Sequence, residues 1–584
     1  MPTYIRLTDY KSSDEKERGF FDPKNRYEAK QEDFEKIPGS PIAYWVSDRV
    51  IDNFVKSEKL SKYVNPRRGM DTNNNEKFLR YWFEVDNNKI NINWIKSNIG
   101  GEFRKWEGNN LFVVDNLILI NASISLQNDF FKSGITWTSL SSSNFGVRFF
   151  DKGYIYNNKS AFSINNHKES LYFLGFLSTK IAFNILKMIN PTMNFQAGNI
   201  ASLPIIFPKQ DSIKQKIDQL TQQNIDISKE EWDSRETSWD FKASPLLIEN
   251  GELRIENGEW RIENGELKIE NGRIEDAYKR YCEYWREKFF TLHKNEEELN
   301  RLFIDIYELQ DELTPDVALE DITILKNEAK IVDGKLEFRA DEIIKQFISY
   351  AVGVMFGRYS LDHKGLHIAN MGESIEDANL KFNIQNPTFE AGDDNVIPVL
   401  EDDYFKDDIA SRFIQFVKVT FGEENLSQNL RFIENALGTT IRKYFLKGFY
   451  EDHIKRYKKR PIYWMVSSPK KGFMSLIYMH RYKLDIFARV RNSYLTEYLS
   501  KLEAHKETLS LTTSSDTASN ADKKSAHKKI KNIDAKLKEI IEFDRDKMMH
   551  FAQNQIEIDL DDGVKVNYCK FKDILYPITG LCKK

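Results

Sequence analysis

Between Pro41 and about Pro208, short apolar and aromatic runs such as NLFVVDNLILINA and GVRFFDKGYIYNN alternate with clusters of Asn, Gly and Ser. Runs of that length bounded by turn residues predict strands mixed with short helices. In SLYFLGFLSTKIAFNILKMI the apolar residues recur at helical spacing, which predicts a helix packed across this region. The segment 211–240 is polar, charged and helix-prone. EDAYKRYCEYWREKFFTLHKNEEELNRLFIDIYELQDEL then gives an amphipathic helix with Leu299, Leu302, Phe303, Ile306 and Leu309 on its apolar stripe. Thr314-Pro315 is expected to end it. Residues 340–500 show mostly helical patterns separated by long loops, SLTTSSDTASNADKKSAHKK reads as a loose polar connector, and IEIDLDDGVKVNYCKF reads as two short strands around an Asp-Asp-Gly turn.

One stretch has its own period. In IENGELRIENGEWRIENGELKIENGRIE, Ile248, Ile255, Ile262 and Ile269 repeat every seven residues, as do Gly251, Gly258, Gly265 and Gly272. Glycine costs about 1 kcal/mol in a helix interior, so an Asn-Gly pair in every heptad makes a poor coiled coil. A small repeated ribbon or a spacer without chemistry fits better, because Asn-Gly is a strong hairpin-turn signal.

Length and charge narrow the classes. A chain of 584 residues is too long for one typical core and suggests about three or four domains. Its 85 Lys+Arg against 89 Asp+Glu leave a net charge of -4, which excludes a wholly basic nucleic-acid coat and requires any DNA contact to be a local patch. The three cysteines, Cys282, Cys569 and Cys582, form no CxxC pair, so neither a disulfide framework nor a zinc ribbon is expected, and a reducing cytoplasm fits best. No signal peptide and no run of about 18 apolar residues is present, so no membrane partner is expected.

A search for a cofactor or catalytic centre finds little. There is no GxGxxG and no Walker loop. Asn-Pro occurs at Asn65, Asn190 and Asn386, never followed by the proline and aromatic residue that grip a target amine. His363 and His367, the Asp559, Asp561 and Asp562 cluster, and Pro315-Asp316 with Glu328-Ala329-Lys330 each resemble fragments of metal sites, but Gly365 disfavours a shared helix face and the completing ligands are missing.

Basic residues interleaved with turn formers and aromatics carry more. In YVNPRRGMDTNNNEKFLRYWFEV, Arg67 and Arg68 precede a polar loop of Gly69, Thr72, Asn73, Asn74 and Asn75, ahead of a helix-capable segment. Two readings are open: a capped helix start with Asn75 as N-cap, or a loop whose forked donors and amides reach phosphates and base edges. GGEFRKWEGN adds Arg104, Lys105 and Trp106, and SSSNFGVRFFDKGYI adds Asn144, Arg148 and Lys152. RKYFLKGFYEDHIKRYKKRPIYW is a third basic-aromatic run. Any one of these could be a solvated face; several together point towards double-stranded DNA.

These and further motifs, among them KIPGSPIAYWVSD, GMDTNNNEKFLRYWFEV, GITWTSLSSSNFGVRFFDKG, NPTMNFQAGNIASLPI, WDSRETSWDF, FISYAVGVMFGRYSLD and KKRPIYWMVSSPKKGFMSLIYMHRY, resemble the C-terminal portion of the PglX-type adenine-specific DNA methyltransferases of BREX phage-defence systems. The resemblance runs through the whole chain, interrupted at the Asn-Gly repeats. It implies an α+β multidomain protein with a mixed α/β target-recognition domain followed by largely helical C-terminal regions. The implied division is 1–40 as the end of a catalytic domain and junction, 41–210 as target recognition, 211–275 as a polar linker with the repeats, 276–460 as a mainly helical region, and 461–584 as a C-terminal helical region with a terminal strand pair. The family's cofactor is S-adenosylmethionine, and its cofactor and catalytic loops would lie before Met1. No catalytic, cofactor-binding or metal residue is therefore assigned in this chain, and a catalytic domain in trans and other BREX proteins are expected partners. The family carries a Gly- and Asn-rich loop where this chain has Arg67 to Asn75, which implies DNA contact there. A self-sufficient DNA-modifying or DNA-cleaving enzyme, a non-functional truncated product and an interaction scaffold remain alternatives.

Overall fold

The computed structural model describes residues 1–121, 128–138, 145–156, 160–163, 167–190, 192, 194–247 and 272–582. The Asn-Gly repeats and Asn144 lie outside them. The fold is α+β, 51% helical and 11% strand, with several small sheets.

Two four-stranded sheets occupy the first third of the chain. One has the order Ile155–Tyr156, Trp94–Asn98, Phe112–Asp115, Leu79–Tyr81; its first pairing is parallel and the others antiparallel. The other has the antiparallel order Arg67–Arg68, Ser160–Ser163, Gly134–Trp137, Val147–Phe150. Both Gly134–Trp137 and Val147–Phe150 are buried at every position, which explains their continuous apolar runs.

The apolar run after residue 167 forms two helices rather than one. His167–Leu177 and Lys180–Ile189 are bent by 67° at the break, where the Thr179 hydroxyl accepts from Ala182 N and restarts the helix. No single helix among the described residues is long and apolar enough to cross a membrane.

Residues 211–233, read as part of a polar linker, form a 23-residue helix that buries Ile217, Asn224, Ile225, Ser228, Glu231 and Trp232 against its neighbours. The amphipathic run becomes the helix Ile274–Tyr307, which buries Leu299 and Phe303 and half-buries Leu302 and Ile306. It stops before Thr314-Pro315, because Glu308 turns left-handed at φ 54° and its N–H closes onto Asp305 O and Ile304 O. Beyond it, Ala340–Met355 is buried at every position from Phe347 on and packs with Ile409–Phe421 and Leu426–Leu437. A three-stranded sheet, Val396–Pro398, Met474–Tyr478, Tyr463–Ser467, follows.

Three sequence expectations near the C-terminus change. The polar connector, residues 510–529, is mostly helical: it ends Thr496–Ser514, turns at 515–519 and opens Asn520–Phe543, the two helices forming a hairpin in which Ser519 caps the second through Asp522 N. The expected strand pair is a 3-10 turn, Leu560–Asp562, followed by the helix Gly563–Lys570: Asp559 accepts from Asp561 N, and Val564 and Tyr568 bury one helical face. That helix and the turn after Pro577 bring Cys569 and Cys582 to a Cα separation of 5.5 Å, where they form a disulfide that the spacing gave no reason to expect.

This C-terminal segment docks on the first sheet. Asp561 accepts from Trp94 Nε1 at 2.9 Å and pairs with Lys89 Nζ at 2.7 Å, while its carbonyl accepts from Arg80 Nε at 3.2 Å. One apolar cluster runs from Ile37 to Leu581. A second, smaller one, containing Met70, Phe130, Phe150, Tyr154 and Tyr156, underlies the loops described next.

Candidate nucleic-acid interface

Turn chemistry fixes the loop after Arg67–Arg68 before any partner binds. The Asp71 carboxylate accepts from Asn73 N at 3.1 Å, which supports the left-handed φ of 53° that asparagine tolerates. Asn74, one residue before the position expected from sequence, is the N-cap: its side chain accepts from Lys77 N at 3.1 Å and starts the short helix Asn75–Phe78. The buried Thr72 donates its hydroxyl to the Asn75 side-chain carbonyl. Met70 N donates to Tyr156 O at 3.2 Å and anchors the loop to the sheet edge.

The neighbouring turns meet this loop. Arg67 pairs with Asp129 at 3.0 Å, and Gly153 N donates to Phe131 O at 3.0 Å. The loops at 67–77, 128–132 and 151–154 thus share one surface, supported from below by the edge-on rings of Phe130 and Tyr156. Arg68, Asn73, Asn74, Asn75, Lys77, Phe131, Lys132 and Lys152 are exposed on it, and Gly69 is half-exposed. Arg68 also pairs with Asp71 at 3.2 Å, but its side chain keeps 66% of its surface open. Phe131 and Lys132, in FFKSG, escaped the sequence reading; the Lys-Ser-Gly turn between two apolar runs was the available signal.

Three other cations singled out from sequence, Arg104, Lys105 and Arg148, face inwards, whereas Lys443, Lys447, Lys455, Lys458 and Lys459 of the third basic run are exposed. Arg104 donates through Nη2 to Glu231 Oε2 at 2.8 Å and to Ser228 O at 2.7 Å, and through Nε to Glu107 O at 2.5 Å. Burial opposes ionisation of Glu231, but Arg235 and Arg104 outweigh it and hold its carboxyl below the usual range. Lys105 Nζ and Trp106 Nε1 both donate to Glu296, at 2.6 and 2.8 Å. Arg148 is fully buried, donates to Thr138 Oγ1 at 3.2 Å, and is pushed down to about 10 by burial and by the nearby Arg104. Arg104, Trp106 and Arg148 are buried and Lys105 is half-buried, and the contacts they make are internal.

Behind the interface, Glu107 is buried and accepts from Asn110 Nδ2 at 2.6 Å, and Asn110 Oδ1 accepts from Asn98 Nδ2 at 2.8 Å. Burial raises the Glu107 carboxyl to about 7, against the opposing pull of Lys229 and Arg104.

No protein-family model matches the chain. Two curated relatives are similar to nearly all of it. The adenine-specific methyltransferase PglX of Lacticaseibacillus casei (strain Zhang) is 35% identical over 616 residues, covering 97% of this chain. The adenine-specific methyltransferase BrxX of Escherichia coli O9:H4 (strain HS) is 32% identical over 619 residues, covering 99%. Each match takes in 48% of the relative, so the chain spans about half the length of the curated relatives it matches. Similarity of this extent supports the family resemblance carried by the motifs.

Proposed function

We propose that this chain is the DNA-recognising part of a BREX-type adenine-specific DNA methyltransferase, with the methyl-transfer chemistry supplied by residues outside the segment described here. The observation that carries the reading is the convergence of three loops on one surface, where Arg68, Lys132 and Lys152 offer charge to phosphates and Asn73, Asn74 and Asn75 offer amides to base edges. The names of the two relatives, and their length beyond this chain, agree with it.

Among the described residues no glycine-rich cradle for S-adenosylmethionine is formed. Among the described residues the named strands pair antiparallel except Ile155–Tyr156 with Ser97–Asn98, and no strand leads through a glycine-rich turn directly into a helix. No step of the reaction is therefore assigned to them.

The test is a salt series of anisotropy titrations with labelled duplex DNA, comparing the wild type with Arg68→Ala/Lys132→Ala/Lys152→Ala. Each phosphate contact contributes about 0.9 to the slope of log affinity against log salt, so the triple variant is expected to weaken binding and shallow the slope by about 2 to 3. Absence of salt-dependent duplex binding by the wild type, or an unchanged slope in the variant, would overturn the assignment.

A further inference from the structure

We infer that the helical hairpin of Thr496–Ser514 and Asn520–Phe543 carries a second DNA contact, a lysine stripe that holds the backbone of duplex DNA without reading its sequence. The inference rests on the proposed DNA-recognising role but uses a surface separate from the three loops.

The base of the hairpin is fastened to the body. Lys501 Nζ donates to Tyr404 O at 2.6 Å, His505 Nδ1 lies 2.8 Å from Tyr404 Oη, Lys536 pairs with Glu401, and Ser468 Oγ donates to Glu539 at 2.9 Å. Towards the tip the two helices pack on each other. Between Glu503 and Asn532 Ala526 is the one buried residue, so this part stands clear of the core.

The second helix is charged asymmetrically. Residues 520–531 hold five lysines (523, 524, 528, 529, 531) against one acid, Asp522, in a chain whose net charge is -4. Lys524, Lys528, Lys531 and Lys538 follow at spacings of four, three and seven, which puts them on one face; all four are exposed, and His527 lies beside them. Three other lysines of the hairpin are engaged: Lys501 pairs with Glu497 at 2.7 Å, Lys506 with Asp534 at 2.5 Å, and Lys536 with Glu401. The four stripe lysines enter no ion pair among the described residues.

The geometry selects the partner. At 1.5 Å per residue the stripe is about 21 Å long, the length of roughly six base pairs. A straight row of ammonium groups on a rigid helix suits a regular row of phosphates. Binders of single-stranded nucleic acid add aromatic platforms for unstacked bases, and residues 520–538 contain no Phe, Tyr or Trp. Lysine is a point charge without the fork that reads guanine, so this contact adds affinity and leaves sequence preference alone.

The experiment uses the full chain in duplex-binding titrations across a salt series, comparing the wild type, Lys524→Gln/Lys528→Gln/Lys531→Gln/Lys538→Gln and the matching Lys→Arg quadruple. The glutamine variant is expected to lose about tenfold or more in affinity near 0.1 M salt and to shallow the salt slope by about 3 to 4, with its preference among duplexes unchanged, while the arginine variant binds as wild type. All four positions are exposed, so the helical circular-dichroism signal stays constant. An unchanged slope in the glutamine variant, with binding still sensitive to Arg68, Lys132 and Lys152, would overturn the hairpin contact and leave the loop interface standing. Loss in the glutamine variant without loss in the loop variant would support the hairpin and remove the loop interface. Absence of any duplex binding by the wild type would overturn both, and stronger competition by single-stranded RNA than by duplex would reject duplex DNA as the occupant.

Discussion

Nη2 of Arg104 lies 2.8 Å from Oε2 of Glu231, with only 5% and 1% of the two side chains exposed. The pair fastens the loop before Trp106 to the helix Asp211–Asp233, and the same guanidinium stacks 4.9 Å from the Trp232 ring. The guanidinium also donates to Ser228 O and Oγ, Glu107 O and Thr323 O.

Arg104→Ala should therefore act on stability rather than on DNA. It removes one of the two guanidiniums that pair with the buried Glu231, Arg235 being left, so the loss should fall somewhat below the about 3 to 5 kcal/mol of a buried pair broken outright. Denaturant unfolding of the variant should show that loss, and the salt slope of DNA binding by its folded fraction should match wild type. Arg104→Lys should also be destabilised, because a single ammonium cannot span Glu231, Ser228 and Glu107 together.

Glu107 should give the stability curve a downward slope with rising pH. Its folded carboxyl is raised to about 7 by burial, so the folded chain holds a proton that the unfolded chain releases above about 4.5. The stabilisation is complete below 4.5 and is lost as pH rises through 7, a total of about 3 kcal/mol. Comparing Glu107→Gln with wild type by chemical denaturation at pH 5 and pH 8 checks this: the variant should gain relative to wild type at the higher pH.

His480 acts in the opposite direction. It is buried, lies with Nε2 3.3 Å from Val85 O, and is pushed down to about 3 by burial and by Arg358. The unfolded chain takes up the proton first, so stability is present above about 6.5 and falls by about 1.4 kcal/mol for each unit of pH below it, down to about 3. His480→Gln should flatten the acid limb of the stability profile.

The disulfide between Cys569 and Cys582 closes a loop with a sequence separation of 13. Loops of that size confer about 3 kcal/mol by restricting the unfolded chain. Cys582→Ser, or a thiol reductant, should lower the melting temperature of the oxidised protein; equal melting with and without reductant would show that the bond contributes nothing.

What the sequence revealed depended on how local the cause was. The stripe of Leu299 and Phe303 and the turn chemistry of Asp71 to Asn74 act within a few residues, and both appear in the structure close to where the pattern puts them. The end of the long helix is misplaced because Glu308 adopts a conformation usually marked by glycine. Arg104 and Arg148 read as DNA contacts because nothing near them in sequence distinguishes a phosphate-facing guanidinium from a buried one, Arg104 pairing with an acid 127 residues away and Arg148 donating to Thr138 Oγ1 and Arg104 O. The strand pair at 556–571 fails for a related reason: Asp-Asp-Gly suits a hairpin, but the i, i+4 pairing of Val564 and Tyr568 against the core decides for helix.

The docking of Asp561 on Trp94 spans 467 residues of chain. At a synthesis rate of about 5 to 20 residues per second, the indole N–H of Trp94 leaves the ribosome roughly 25 to 90 seconds before its acceptor exists. During that interval the sheet residues Arg80 and Trp94, and Lys89 in the turn before Trp94, lack the contacts with Asp561 that the finished protein makes. This docking step is thus timed by translation, and a slow stretch of codons ahead of residue 561 would lengthen the life of the form that lacks it.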